Sequence, residues 1–443
     1  MLGEDTIRSV VQGVLDRSKA DETEVVYFGG QDQLTRFANS YIHQNVAEQN
    51  TGVTVRAVLG KKIGVASTND LSQNALAGVV ERATMIARFQ HENEDYKSLP
   101  GAATYGQSSG YDPVTADTPP EVRAAGVGAV CKAAADAGLV ASGAFSTGWN
   151  EIAVGNSHGV FAYAPQTSAQ FSTVIMGESG SGYAENATIR VAEIDASALG
   201  KEATDKAVRS RDPAAVEPGA YDVVLEEYAV GEMLLYLSFL GMGALALQEG
   251  RSFMRLGEEI TGNNITIYDD AYDPRGLPFP FDFEGVPRQR VEIIKNGLAN
   301  AVVYDTYTAG REPGKQSTGH GLPAPNTYGP LPMNLVIAPG TTPKAELIKG
   351  IKRGLWVTRF HYVNIVNPMQ TILTGMTRDG TFLIEDGAIS RPVKNLRFTQ
   401  SVLDALRRAE LSDTLRLQKG FFGGSLVPAM RIEGFNFSSA TEF

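Results

Sequence analysis

Residues 233–247 read Met-Leu-Leu-Tyr-Leu-Ser-Phe-Leu-Gly-Met-Gly-Ala-Leu-Ala-Leu, the longest uncharged apolar stretch of the chain. A bilayer-spanning helix needs ~20 such residues, and these fifteen fall short. The stretch therefore reads as a helix buried inside a protein core. A strand, Tyr221–Leu225, precedes it. From Ile265 onward the pattern is short β runs separated by Gly and Pro: Ile265–Tyr268, Ala301–Tyr304, Leu335–Ala338, Leu355–Val366 and Thr381–Glu385. Helices are expected near 343–353, capped by Thr342, and near 399–410. Many short strands with few helices point to a closed or strongly curved sheet.

Upstream, Arg211-Asp212-Pro213 to Glu217-Pro218-Gly219 is a Pro/Asp/Gly cluster and marks the main domain boundary. Before it, Asp5 can cap a helix whose Ile7, Val10, Val11, Val14 and Leu15 recur at helical spacing. Glu24–Phe28 and Gly52–Val58 read as strands, and Ser72 can open a helix with Leu76, Val79, Val80, Ala83 and Ile86 on one face. Residues 92–117 are loop-like. Thr118-Pro119-Pro120-Glu121 then starts a helix with Thr as cap, strands follow at Phe171–Met176 and Thr188–Val191, and a charged helix spans 199–209. No internal repeat with a fixed period is visible. The expected fold is α+β: an N-terminal α+β domain over 1–115, a central α+β domain over 116–218, and a β-rich, barrel-like C-terminal domain over 219–443.

Composition narrows the function. The 443 residues carry 39 Lys and Arg against 50 Asp and Glu, a net charge of −11. Such a chain repels phosphate backbones, so nucleic acid is not an expected partner. Cys131 is the only cysteine; one thiol builds neither a disulfide framework nor a cysteine-based zinc site, which suits a reducing cytoplasm. The N-terminus lacks the basic region and apolar core of a signal peptide. A cytoplasmic chain without a membrane span is expected.

The five histidines, His43, His91, His158, His320 and His361, include no pair at helical metal-ligand spacing. His320 and His361 are the C-terminal candidates for a remote ligand or general base. Ser317-Thr318-Gly319-His320-Gly321 lacks the strand-turn-helix context of a nucleophile elbow and reads as a loop. Asp282-Phe283-Glu284-Gly285 would put both acids on one face of an extended segment. That pair reads as a surface or interface hairpin, with acid-base catalysis as the sharper alternative.

At Phe281-Asp282-Phe283-Glu284-Gly285-Val286-Pro287 the chain resembles the TldD/TldE (PmbA) family, whose members carry D-D-E-G-x-P here. The neighbouring segments agree: Gly257-Glu258, Asp269-Asp270, Ile294-Lys295-Asn296-Gly297, Tyr304-Asp305, Ser317-Thr318-Gly319 (the family has T-G-N), Ala338-Pro339-Gly340, Thr374 through Gly380, and Ile384-Glu385-Asp386-Gly387. Thr35-Arg36-Phe37-Ala38-Asn39-Ser40 also looks like a family segment. Phe283 and His320 depart from the pattern.

The resemblance implies a zinc metallopeptidase assembly. TldD-type members carry H-E-x-x-x-H on the helix after the first strand of the C-terminal domain, plus a late cysteine ligand. Alignment on Gly231 and Gly257-Glu258 puts those motif positions on Leu235, Tyr236 and Leu240. The late cysteine falls near Leu417–Gly420, which holds none. The resemblance thus implies the TldE/PmbA-like branch: a subunit with no catalytic or metal-ligating residue of its own, zinc supplied by a TldD-type partner in a heterodimer, and small unfolded peptides as substrates. Asp282, Glu284, Ser317, Thr318, His320 and His361 are the candidates for lining a substrate chamber. The alternatives are a homodimeric peptide-binding protein without proteolysis, and a self-sufficient hydrolase built on His320, His361, Asp282 and Glu284.

Overall fold

The computed structural model describes residues 1–420 and 423–441. Helix α1 (Glu4–Leu15) precedes strands β1 (Glu22–Ala38), β2 (Tyr41–Leu59) and β3 (Lys62–Thr68) and helix α2 (Gln73–Phe89). After a short α3 (Pro113–Ala116), the same order recurs: α4 (Pro120–Asp136), β4 (Val140–Asn156), β5 (Phe161–Met176), β6 (Ser181–Thr188) and α5 (Ala196–Arg209). The six strands make one antiparallel sheet, β3-β2-β1-β4-β5-β6, joined where β1 pairs with β4. The sheet crosses the 115/116 boundary, and the N-terminal half is a structural duplication that no fixed period in the sequence announces.

The duplication survives in the residues at one packing seam. A Cβ added at Gly64 of β3 would stand 2.1 Å from the carbonyl oxygen of Ala83 and 2.3 Å from the nitrogen of Ala87 on α2. A Cβ at Gly182 of β6 would stand 2.1 Å from the carbonyl oxygen of Ala203 and 2.6 Å from the nitrogen of Ala207 on α5. Ala83-Thr84-x-x-Ala87 and Ala203-Thr204-x-x-Ala207 are thus equivalent faces, each meeting a glycine. Since backbone cannot yield as a flexible side chain can, Gly64→Ala and Gly182→Ala are each expected to cost about 1–3 kcal/mol through overpacking. Denaturant melts that superimpose on the parent would refute this.

One face of the sheet is helix-covered. Val25, Tyr27, Val53 and Val55 pack under α1 and α2, and Phe37, Phe145 and Phe171 under α4 and α5. Arg123 of α4 is 1% exposed. Its guanidinium donates only to neutral acceptors: Gln33 and Thr147 at 2.8 Å, and Thr35 and the Thr118 carbonyl at 3.3 Å. On the other face Val26, Ile152, Val154, Ala162 and Ala164 pack against Phe279 and Phe281 of the C-terminal half. Beyond that patch the same face carries Asp32, Asn150, Gln166, Ser168 and Gln170, partly or fully exposed.

The C-terminal half contains β7 (Gly219–Leu225), α6 (Glu227–Gly241), α7 (Ala244–Gln248), β8 (Ile267–Asp269), β9 (Val291–Lys295), β10 (Leu298–Ala299), α8 (Thr306–Gly310), β11 (Asn334–Ile337), β12 (Arg353–Asn367) and β13 (Ile372–Glu385). It ends with β14 (Ala388–Pro392), β15 (Leu396–Ser401), α9 (Val402–Leu406), β16 (Ala409–Leu411), β17 (Arg416–Lys419), β18 (Gly424–Val427) and β19 (Met430–Ala440). The circuit β12-β7-β19-β15-β13 closes because β13 also pairs with β12, which is the expected barrel-like closure. A second sheet runs β10-β9-β8-β11-β18-β17. The apolar stretch is not one helix: α6 carries it as far as Gly241, the chain breaks at Met242-Gly243, and α7 takes the rest; α6 shares one core with both sheets. Among the described residues no helix is long and apolar enough to cross a membrane.

Several local expectations are corrected. The helix near 343–353 is a single 3-10 turn, Lys344–Glu346, because Gly350 sits at φ +81° and β12 starts at Arg353. The helix near 399–410 shrinks to α9: Thr399 and Gln400 extend β15, and Ser401 caps the helix. Ala301–Tyr304 forms only an isolated bridge, Val303 to Gly243. Gly3 and Pro119, not Asp5 and Thr118, occupy the N-cap positions of α1 and α4.

Candidate functional site

Helix α6 turns one face toward β17 and the residue after it. A Cβ at Gly231 would lie 2.7 Å from Cγ of Gln418, and one at Gly420 would lie 3.7 Å from Cδ1 of Leu235. The helix position expected for a first metal ligand and the segment expected for a late cysteine therefore converge in space. What they bring together is a leucine methyl and a glycine. Tyr236 turns away and donates its hydroxyl to the Val363 carbonyl, while Leu240 is 6% exposed and belongs to the core.

Around Leu235 lies a cleft of about 140 Å³ walled by Tyr183, Tyr228, Glu232, Arg359 and Lys419. Burial raises the pKa of Glu232, with Arg359 opposing. Lys419 places its ammonium 3.4 Å from the Ser168 hydroxyl, joining the cleft to the polar sheet face. No imidazole or thiolate lines the cleft. Among the described residues no three of His, Cys, Asp and Glu stand close enough to hold a metal ion. Zinc takes four nitrogen, sulfur or oxygen ligands, or three plus water, and the side chains at these positions do not fit it.

The cleft is held by an ionic network that sequence reading missed. Lys206 of α5 lies 2.8 Å from both Glu202 and Glu226, and Arg416 of β17 lies 3.2 Å from Glu202. Trp356 donates its indole N–H to Glu226 at 2.6 Å, and Lys344 reaches Glu227 at 2.6 Å. Burial would raise both carboxyls, but Lys206 and Arg416 hold Glu202 down to about 2. Lys206 and Lys344 likewise hold Glu226 below its usual range. The one available signal was Glu202 and Lys206 at i,i+4 on a charged helix.

The expected chamber residues lie elsewhere. Asp282 and Glu284 are buried, so the surface version of the hairpin reading is corrected and the interface version stands. Asp282 accepts the backbone N–H groups of Glu284 and Val286 at 2.9 Å and of Gly321 at 2.7 Å, fixing this turn to a second loop. Burial, then repulsion from Glu284, push its carboxyl up to about 8 against those donors. Glu284 accepts the Thr306 N–H at 2.8 Å and lies 3.5 Å from Arg56.

Ser317 donates to the Tyr304 carbonyl at 3.2 Å. His320 is fully buried, and that burial lowers its pKa against the opposing pull of Asp269. Its Nε2 lies 3.1 Å from Asp269 and its Nδ1 2.9 Å from the Thr318 hydroxyl. His361 sits half-buried on β12 against Tyr362 and shares no partner with His320. These residues do not assemble into one site.

Burial raises Glu24 and Asp282 above their usual ranges, and Asp305 up to about 6. At these groups the folded chain binds more protons than the unfolded one from the ordinary carboxylate range up to about pH 8, so their contribution falls as pH rises, while the lowered His320 and His361 act oppositely until pH passes the ordinary histidine range. Glu202, Glu226 and Asp269 are lowered and act oppositely, losing stability as pH falls below their unfolded values. The melting temperature should be higher near pH 7 than near pH 9, an interval in which the histidines are already neutral in both states and Asp282 loses its proton. A melting temperature that rises or stays level across this interval would contradict the assignment.

Three family models match in order along the chain: PmbA/TldA metallopeptidase domain 1 over residues 23–87, the central domain over 114–211 and the C-terminal domain over 218–439. The chain belongs to the PmbA/TldD family. It is 25% identical to metalloprotease PmbA of Escherichia coli O157:H7, across 97% of this chain and 96% of that one. It is 23% identical to the metalloprotease TldD homolog of Haemophilus influenzae, across 90% and 86%. Overall identity hardly separates the PmbA relative from the TldD relative. The crystal structure of TldE from Thermococcus kodakarensis superposes with a TM-score of 0.90 over 98% of this chain and 99% of that one. At 21% identity this likeness speaks for the fold alone.

Proposed function

We propose that this chain is the zinc-free, TldE/PmbA-like subunit of a two-chain metallopeptidase that cleaves small unfolded peptides, with the zinc site supplied by a TldD-type partner. The observation that carries the reading is the cleft beside α6: the positions meant for ligand, base and ligand hold Leu235, Tyr236 and Leu240. Leucine at both ligand positions gives a metal ion nothing to coordinate there. What this chain would contribute is positioning. Asn150, Gln166, Ser168 and Gln170 offer amide and hydroxyl partners along one sheet face, and Lys419 adds a cation where that face meets the cleft. An extended peptide with unpaired backbone groups suits such a wall better than a folded protein does. The single thiol, Cys131, agrees with a cytoplasmic setting.

The test is metal content and cleavage of an unstructured peptide, measured on the purified chain alone and again with a TldD-type partner. The expected result is a metal-poor, inactive chain that forms a complex and gains turnover only with the partner. Stoichiometric zinc with turnover by the chain alone would overturn the reading. Peptide capture by a homodimer that never pairs with the partner would replace it with a binding protein.

A further inference from the structure

A cavity of about 670 Å³ lies between the first β-sheet unit and the C-terminal half, and shares no lining residue with the cleft beside α6. Its volume falls in the range of small-molecule sites, and its construction matches theirs: apolar walls with a few convergent polar groups. The apolar wall includes Ile63 of β3, Ile86 of α2 and Leu322 from the C-terminal half. The polar end is formed by Arg56, Glu284, Asp305 and Thr306.

That end holds too much negative charge for its one guanidinium. Arg56 lies 2.5 Å from Glu24 and 3.5 Å from Glu284. Glu284 also accepts the N–H of Thr306, the neighbour of Asp305, so Glu24, Glu284 and Asp305 gather at an end that holds one guanidinium. The other lining charges are answered or outside: Arg311 lies 3.4 Å from Asp95, Glu249 2.5 Å from Arg251, and Lys97 is solvent-exposed. The Thr306 hydroxyl, buried beside Glu284, has no hydrogen-bond partner among the described residues. A group that brings one positive charge and several N–H donors would satisfy Glu284, Asp305 and Thr306 together.

We infer that this cavity is a binding site for a small primary amine with an apolar body, its ammonium held by Glu284 and Asp305 and its body against Ile63, Ile86 and Leu322. The site is independent of the proposed peptidase role, because it lies apart from α6 and needs neither metal nor partner to be filled.

Titration calorimetry on the full chain at neutral pH tests it, with phenethylamine as the probe and 2-phenylethanol as its uncharged match. Phenethylamine should bind about tenfold or more tightly than the alcohol, the discrimination expected of a hydrogen bond to a charged group. Glu284→Gln should remove that preference while keeping the cavity's shape. Ile86→Trp, at a partly exposed helix position, should fill the apolar wall and weaken both probes. No binding of phenethylamine at millimolar concentration, equal affinity for the two probes, or a preference unchanged in Glu284→Gln would each overturn the site. Should Glu284→Gln fail to fold, Asp305→Asn and Ile86→Trp carry the test, and parent-like binding by both refutes it.

Discussion

Leu240→Asp is expected to destabilise the chain by at least about 4 kcal/mol, the sum of a lost core leucine and a buried unpaired charge. Leu240 is 6% exposed and belongs to the core that joins α6 to both C-terminal sheets. A carboxylate there is far from water and must either stay charged without a partner or take up a proton. The informative comparison is Leu235→Asp, little more than one helical turn away. Leu235 lines the polar cleft with Arg359 and Lys419, so an acid there keeps access to water and to cations. Its cost should stay within about 1 kcal/mol, as for other positions outside the core. The pair reads out the orientation of α6 directly. If Leu240→Asp melts with the parent, or Leu235→Asp is the more damaging, the helix face has been misassigned, and with it the cleft on which the proposed role rests.

The second large effect is expected from Lys206→Met, at about 3–5 kcal/mol, the usual cost of breaking a buried ion pair from one side. Lys206 stands between Glu202 and Glu226 at 2.8 Å from each, and the Glu226 side chain is only 3% exposed. Methionine keeps most of the volume but leaves Glu226 with Trp356, with Thr358 at 3.4 Å, and with Lys344 at 3.7 Å. Most of the cost is the stranded carboxylate, so Lys206→Met combined with Glu226→Gln should recover a large part of it. Urea unfolding of the two single variants and the double variant checks this. A Lys206→Met loss under about 1 kcal/mol, or additive losses in the double variant, would show that the pair is not coupled as its geometry states. Because Lys206 comes from the N-terminal sheet unit and Glu226 opens α6, the same variant should loosen the join between the two halves.

Local sequence determined a good deal. The 3.6-residue spacing of Leu76, Val79, Val80 and Ala83 places α2, and Ser72 caps it as read. The uncharged stretch from Met233 is buried and helical as read, but it is broken at Met242-Gly243 into α6 and α7. The family positions Leu235, Tyr236 and Leu240 were legible because a motif is a local order of residue types. Short-range signals failed where tertiary pairing extended or cut an element. Thr399 and Gln400 have no intrinsic reason to be strand rather than helix; pairing with β13 decides it.

What only the tertiary structure decided has one physical cause: contacts between residues far apart in the chain. The duplication behind the six-stranded sheet rests on β1 meeting β4 and on two glycines meeting two helix backbones, and four matching residues are too few to show as a repeat. Asp282 and Glu284 read as either a surface or an interface pair because the sequence does not record what covers them. Arg56, 228 residues from Glu284, comes to lie beside it and leaves their cluster short of positive charge. Residue types and their local order settle what each segment can do; desolvation and charge balance at a site depend on which distant segments close over it.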